Sequence, residues 1–380
     1  MLRSFDVLVA GVGAMGAATC ARLARSGIRV LGVEQFDIPH ALGSSGGSTR
    51  LIRKAYFEHP DYVPLLERAY ELWGELEQQA GRRLYHRTGL LYAGAPDGEL
   101  ISGILRAAAA HHLPIERVVD RPGPLRWPSH FEALFESDAG FLSCDRAIAA
   151  FVEDALWHGA EVHGRERILS WRRDGSGLAV ETDRDRYRVG RLVLTAGAWA
   201  PRMLGGLRVP LVVTRQTVHW VWPRRPSAFE EGAFACWAVQ DDAPGFRGLY
   251  YGFPLSSAAA SAGPLGLKLG HHARGEEVDP DTLDRSPRPE DEAAIRTALG
   301  KFLPDADGAL LASCVCLYTL TPDGHFVVDR HPEHEAVVMA CGFSGHGFKF
   351  APVIGQALAE LSTNGRTDLP IGFLSLRRFG

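Results

Sequence analysis

Two arginines three residues apart, Arg50 and Arg53, close a run of small and polar residues that begins at Gly43. Paired guanidinium groups suit a carboxylate or a phosphate, because each presents a planar fork of N–H donors that matches two oxygens. The spacing predicts a helix starting near Ser48 or Thr49, with either hydroxyl as its cap and both arginines on one face. The competing reading is an exposed ion-pair surface completed by Glu58 or Asp61, and the local sequence leaves both open. A second cationic feature lies in Gly342-Phe-Ser-Gly-His-Gly-Phe-Lys-Phe350. Its three glycines let a backbone pass close to something flat, with Gly345, His346 and Lys349 facing that ligand. Lys349, set between two phenylalanines, either serves the ligand or snorkels out of a core helix.

Lys268 stands inside the apolar run Gly266-Leu-Lys-Leu-Gly270. On a strand it is either a pocket-facing charge with a task or an edge residue that discourages aggregation. His271 and His272 follow it, and alternation points one inward and one outward, with a structural histidine the default for each. Cys314 and Cys316 share one face of a predicted strand that continues to Tyr318. No residues at close spacing complete a zinc site with them. On spacing alone both read as inert buried thiols.

These groups need a scaffold, and the first of its elements is explicit. Gly11, Gly13 and Gly16 follow an apolar strand, Phe5 to Ala10, and open a helix of small residues through Ala17, Ala18 and Ala21. A second apolar stretch, Ile28 to Val33, ends on Glu34. In a dinucleotide-binding unit the first glycine makes the turn, the second admits the pyrophosphate, and the third lets helix and strand pack closely. The helix start donates to phosphate, and Glu34 accepts from ribose hydroxyls. Two further pieces return to this unit from far along the chain. One is the strand and turn from Arg191 to Trp199; the other is a strand from Ala336 to Ala340 followed by a helix from Ala351 to Leu361.

Between these pieces lie helices at Tyr62 to Gln79 and Ala147 to His158, placed by apolar spacing of three and four. Strands are predicted over Val209 to Trp222, Leu249 to Pro254 and Gly266 to His271, with a hairpin tip from Ser256 to Pro264. Those strands are expected to form an antiparallel sheet walling a pocket. The predicted fold is α/β: a Rossmann-type cofactor lobe from residues 1–85, 145–205 and 320–380, and an α+β substrate lobe from 86–144 and 206–319. Bulk properties agree with a globular protein, at 46% hydrophobic and 23% charged residues over 380 positions. A net charge of −4 supplies no basic footprint for nucleic acid. No apolar run approaches the roughly 20 residues that cross a bilayer. The first residues read as strand rather than signal peptide, and six scattered cysteines suit a reducing cytoplasm.

Taken together, these motifs resemble the monomeric sarcosine oxidase family of flavoproteins, which includes N-methyltryptophan oxidase and pipecolate oxidase and sits within the D-amino-acid-oxidase-like group. The resemblance runs nearly end to end. It covers the Gly11 fingerprint, Pro39-His40, Thr49-Arg-Leu-Ile-Arg53, Tyr250-Tyr-Gly-Phe-Pro254 and Gly266 to Gly270. It continues through Cys316-Leu-Tyr-Thr319, His325-Phe-Val-Val-Asp329 and Gly342 to Lys349. It implies an FAD held covalently through Cys316, with Cys314 the rival if the register slips by two. It further implies that Arg53 and Lys349 grip a substrate carboxylate, that Lys268 faces oxygen across the flavin, and that Arg50 lies near the ring. His272, Tyr251 and Tyr318 would line the substrate pocket.

The activity implied is oxidation of a secondary amino acid, such as sarcosine or another N-methyl amino acid, by hydride transfer to flavin and reduction of O₂ to hydrogen peroxide. The alternatives are a pipecolate- or proline-type oxidase, or a dehydrogenase using a different acceptor. A monomer with a small-molecule amino-acid substrate and O₂, and without nucleic acid, membrane or metal, completes the expectation. One departure stands out: Ser45, Gly46 and Ser48 replace the paired histidines and aspartate of close relatives.

Overall fold

A computed structural model describes residues 3–119, 123–204, 209–244, 246–257 and 263–380. Most of the expected hairpin tip, residues 258–262, lies outside the described residues. The described strands form two eight-stranded sheets and a small three-stranded one.

The first sheet grows around Arg3–Ala10, whose last four residues are all buried. Continuous burial is the mark of a parallel strand covered on both faces. Its neighbours, Val30–Val33 and Arg186–Leu194, both run parallel to it. Val337–Cys341 then joins the end of Arg186–Leu194, again in parallel. The sheet is therefore discontinuous in sequence, as its motifs led us to expect. On one face the helix Ala14–Arg25 packs against Cys144–Trp157 and Ala351–Asn364. Small residues permit the approach: a Cβ on Gly355 would lie 2.7 Å from that of Ala18.

The second sheet runs in the order Ala309–Leu320, Val212–Trp222, Leu267–His272, Gly248–Gly252, Cys236–Asp241, Leu90–Gly94, Glu132–Glu136, Glu116–Arg117. The three strands expected in it, Val212–Trp222, Leu267–His272 and Gly248–Gly252, do pair antiparallel, but the wider sheet also holds a parallel joint between Cys236–Asp241 and Leu90–Gly94. Two distant stretches of chain meet at that joint, so no hairpin turn dictates the relative direction.

The third sheet corrects the helix expected after Ser48. Thr49–Ile52 is a strand, paired antiparallel with Gly140–Ser143, which also pairs with Tyr85–Arg87. Thr49 and Ile52 are β-branched, and a ladder supplied from far along the chain outweighs the local spacing. Ser48 sits at a positive φ of 65° instead of capping a helix. Residues three apart on extended chain point to opposite faces, so Arg50 and Arg53 do not act as a helical pair.

Candidate active site

The glycine turn is dictated by sterics at two of its three positions. Gly11 has φ 93°, and a Cβ there would lie 2.7 Å from the Thr195 carbonyl oxygen. On Gly16 it would lie 1.8 Å from the carbonyl oxygen of Gly11. Gly13 differs, because a Cβ would meet nothing within 4 Å. It is the residue that begins the helix Ala14–Arg25, and no side chain caps that end. An open space before an uncapped helix start suits an anion. Glu34 stands beside the turn, buried, and accepts from the backbone N–H groups of Val12 at 2.9 Å and Phe36 at 3.1 Å. Burial raises its pKa against these hydrogen bonds. The turn and Glu34 thus fit a pyrophosphate and its ribose, as an FAD requires.

From this cradle a cavity of about 460 Å³ runs to a cluster of cations. Arg50, Arg53, Tyr251, His272, Tyr318, Gly345, His346 and Lys349 all line it. Arg50 knits its own loop, donating to the carbonyls of Ser44 at 2.7 Å, Gly46 at 2.6 Å and Thr49 at 2.8 Å. Buried Arg53 lies over the rings of Tyr56 and Phe57, 4.2 and 4.7 Å from their centres. Its Nη2 donates to both oxygens of Glu58, at 2.6 and 2.8 Å. The salt-bridge partner suspected for Arg53 is thus real, but the pair lies in the cavity wall, with Arg53 buried and Glu58 half-buried, rather than on an exposed surface. Lys349 Nζ donates to the His346 carbonyl at 2.6 Å. It does not snorkel out, being only 5% exposed.

The electrostatics of this end follow from burial. Burial and then Arg53 push the Lys349 ammonium down to about 7. Burial opposes the charge on Glu58, but Arg53 and its neighbours outweigh it and hold the carboxyl at about 2. Burial also lowers His272 to about 4 and His346 to about 3, leaving both rings neutral near pH 7. His272 Nδ1 lies 3.1 Å from the Tyr318 hydroxyl, while His346 bonds Tyr56 and, at 3.0 Å, the Gly324 carbonyl. Burial drives Tyr251 up to about 12, and Tyr251 shares a hydrogen bond with Tyr318.

Three expected residues stand outside the cavity lining: Gly16, which packs against the Gly11 carbonyl, Lys268 and Cys316. Lys268 Nζ donates to Thr49, at 2.6 Å to the carbonyl and 3.1 Å to the hydroxyl. Burial, with Arg50 nearby, lowers it to about 7. A Cβ on Gly47 would lie 3.7 Å from both the Lys268 Nζ and an Arg50 nitrogen, so that loop stands between the two cations. Cys316 is buried, with its pKa raised by that burial, and pairs in register with Gln216. It lies two residues before Tyr318 and so shares that residue's strand face. Among the described residues no group of three or more His, Cys, Asp or Glu side chains could hold a metal ion. No helix among them is long and apolar enough to cross a membrane. Sequence reasoning missed Tyr56 and the cavity role of Glu58; the five-residue spacing from Arg53 to Glu58 was the available signal.

Known proteins similar to this chain give it a family. The family model for FAD dependent oxidoreductases, DAO, matches residues 6–361. A monomeric sarcosine oxidase of Streptomyces avermitilis is 39% identical, over 100% of this chain and 98% of its own length. An N-methyl-L-tryptophan oxidase of Salmonella arizonae is 31% identical, over 99% of each. Among solved structures, NikD, an unusual amino acid oxidase essential for nikkomycin biosynthesis, matches with a TM-score of 0.86 at 25% identity, covering 98% of this chain and 97% of its own. With a family match across nearly its whole length and a cradle built for the cofactor, the chain belongs to the DAO family of FAD-dependent oxidoreductases.

Proposed function

We propose that the protein oxidises secondary amino acids of the sarcosine or N-methyl type, with oxygen as acceptor and hydrogen peroxide as product. The observation that carries this reading is the placement of Arg53 and Lys349 at one end of a cavity whose other end is the dinucleotide cradle. Relatives named for sarcosine and N-methyl-L-tryptophan support it.

In this reading Arg53 and Lys349 hold the substrate carboxylate. Each charge-assisted contact contributes roughly 1.5–3 kcal/mol. Fixing the carboxylate orients the amine and its C–H bond, which is the larger share of what positioning supplies. Neighbouring cations lower the pKa of the substrate ammonium and so favour the free amine. His272, neutral and oriented by Tyr318, accepts a hydrogen bond from that amine. A flavin held by the glycine turn and Glu34 would supply the two-electron chemistry that links substrate oxidation to oxygen. Lys268, in its protonated form, supplies a positive charge where negative charge develops on oxygen. Cys316 is the proposed covalent anchor, supported by its place on the strand face of Tyr318.

The division into a cofactor lobe (1–85, 145–205, 320–380) and a substrate lobe (86–144, 206–319) belongs to the same proposal. Its support is that the two large sheets draw on different stretches of chain. The same proposal makes the protein a monomer in a reducing cytoplasm, a compartment that six free cysteines suit. The test is acid precipitation of the purified yellow protein. Flavin that stays with the chain supports the thioether, and flavin released to the supernatant refutes it. A Cys316→Ala variant that still retains flavin would move the anchor elsewhere.

A further inference from the structure

Beside the main cavity lies a second one of about 350 Å³, far above the roughly 15 Å³ that admits a single water. The two share Phe57, Glu58, Leu100, Leu249, His272, Ser344 and His346, so the second opens off the end that holds Arg53 and Lys349. Phe57, Leu100 and Leu249 give the shared junction an apolar side, beside the polar Glu58, Ser344 and the two histidines. The part that belongs to the second cavity alone offers Glu99, Gln240, Asp323 and His325. Asp323 is engaged by Arg378 at 2.7 Å, as Glu58 is by Arg53. Glu99, exposed at the start of the helix Glu99–His111, has no ion pair among the described residues. The second cavity thus joins a throat with one apolar side to a carboxylate that no cationic side chain engages among the described residues. Sarcosine bears only hydrogens on its α-carbon and leaves this space empty.

We propose that the second cavity is a side-chain subsite, and that the substrate is a secondary amino acid whose side chain has an apolar stem and a cationic head. The stem passes Phe57, Leu100 and Leu249, and the head meets Glu99. This rests on the reading that Arg53 and Lys349 hold the carboxylate.

Binding to the holoenzyme tests it without requiring turnover. The probes are straight-chain ω-amino carboxylates of four to seven carbons, each compared with the fatty acid of the same length, by titration calorimetry. At one or more lengths the terminal ammonium should tighten binding at least fivefold. Glu99→Gln should abolish that gain, and Glu99→Lys should shift the preference to dicarboxylates. No gain at any length, or a gain that survives Glu99→Gln, overturns the subsite. Fatty-acid binding that is indifferent to Arg53→Ala overturns the carboxylate anchor, and the subsite proposal with it. The two failures are therefore read from different comparisons.

Discussion

Arg53 Nη2 bridges both carboxylate oxygens of Glu58, 2.6 and 2.8 Å away, inside the wall of the cavity rather than at its surface. Any carboxylate brought to Arg53 therefore arrives beside a carboxylate already bound. Glu58 both competes for the guanidinium and repels the newcomer. Glu58→Gln should tighten the binding of amine-free carboxylates such as propionate by about tenfold, equivalent to about 1.4 kcal/mol. Calorimetric titration at pH 6 checks this; unchanged or weaker affinity would mean that Glu58 assists rather than competes.

Lys349 sets the pH dependence of the same contact. Its buried ammonium titrates near 7, so it is charged below that pH and neutral above it. Arg53 stays charged and Glu58 ionised across the range from 6 to 9. Carboxylate affinity should then fall by about tenfold between pH 6 and 9. The midpoint should sit at or above 7, because a bound anion favours the charged lysine. Lys349→Met should bind weakly at every pH, with a flat profile.

The glycine turn separates packing from ligand binding. Gly16→Ala forces a Cβ to within 1.8 Å of the Gly11 carbonyl oxygen, so it should lower Tm steeply even without cofactor. At Gly13 an added Cβ meets no protein atom within 4 Å, so Gly13→Val directs its side chain into the open cradle. Its apoprotein should unfold near the wild-type temperature and yet retain little flavin absorbance after gel filtration. Full flavin occupancy in Gly13→Val would show that the pyrophosphate lies elsewhere.

Lys268 has two readouts that a packing role alone would not move together. Lys268→Met should slow the oxygen half-reaction far more than anaerobic reduction by substrate. It should also change how stability depends on pH. The folded protein holds this lysine near 7, against an ordinary value of 10.5, so between those values the unfolded chain binds more protons. Stability therefore rises with pH across that window, and Lys349 contributes in the same direction. The rise in apoprotein Tm from pH 7 to 10 should be shallower in Lys268→Met than in the wild type.

What could be read from the sequence was what local physics controls. The Gly11–Gly16 turn, the adjoining helix and Glu34 lie within one short unit, whose glycine spacing announces the turn, with sterics dictating Gly11 and Gly16 and the open cradle Gly13. The strand Leu267–His272 and the segment from Gly342 to Lys349 were legible for similar reasons. Arg50 and Arg53 were misread as a helical pair because the partner that makes Thr49–Ile52 a strand is Gly140–Ser143. No local pattern announces a partner at that distance. The parallel joint between Leu90–Gly94 and Cys236–Asp241 escaped for the same reason. The second cavity arises only when distant segments pack together, which residue spacing cannot report.

The central claim is that this flavoprotein oxidises the C–N bond of secondary amino acids at the expense of oxygen. Hydrogen peroxide release, followed with oxygen uptake over a panel of sarcosine, larger N-methyl amino acids, pipecolate and proline, tests it most directly. At least one secondary amino acid should yield peroxide in one-to-one proportion to the oxygen consumed, and Arg53→Ala should abolish that activity at low substrate concentration. Absence of peroxide with every member of the panel, from protein fully loaded with flavin, would contradict the account.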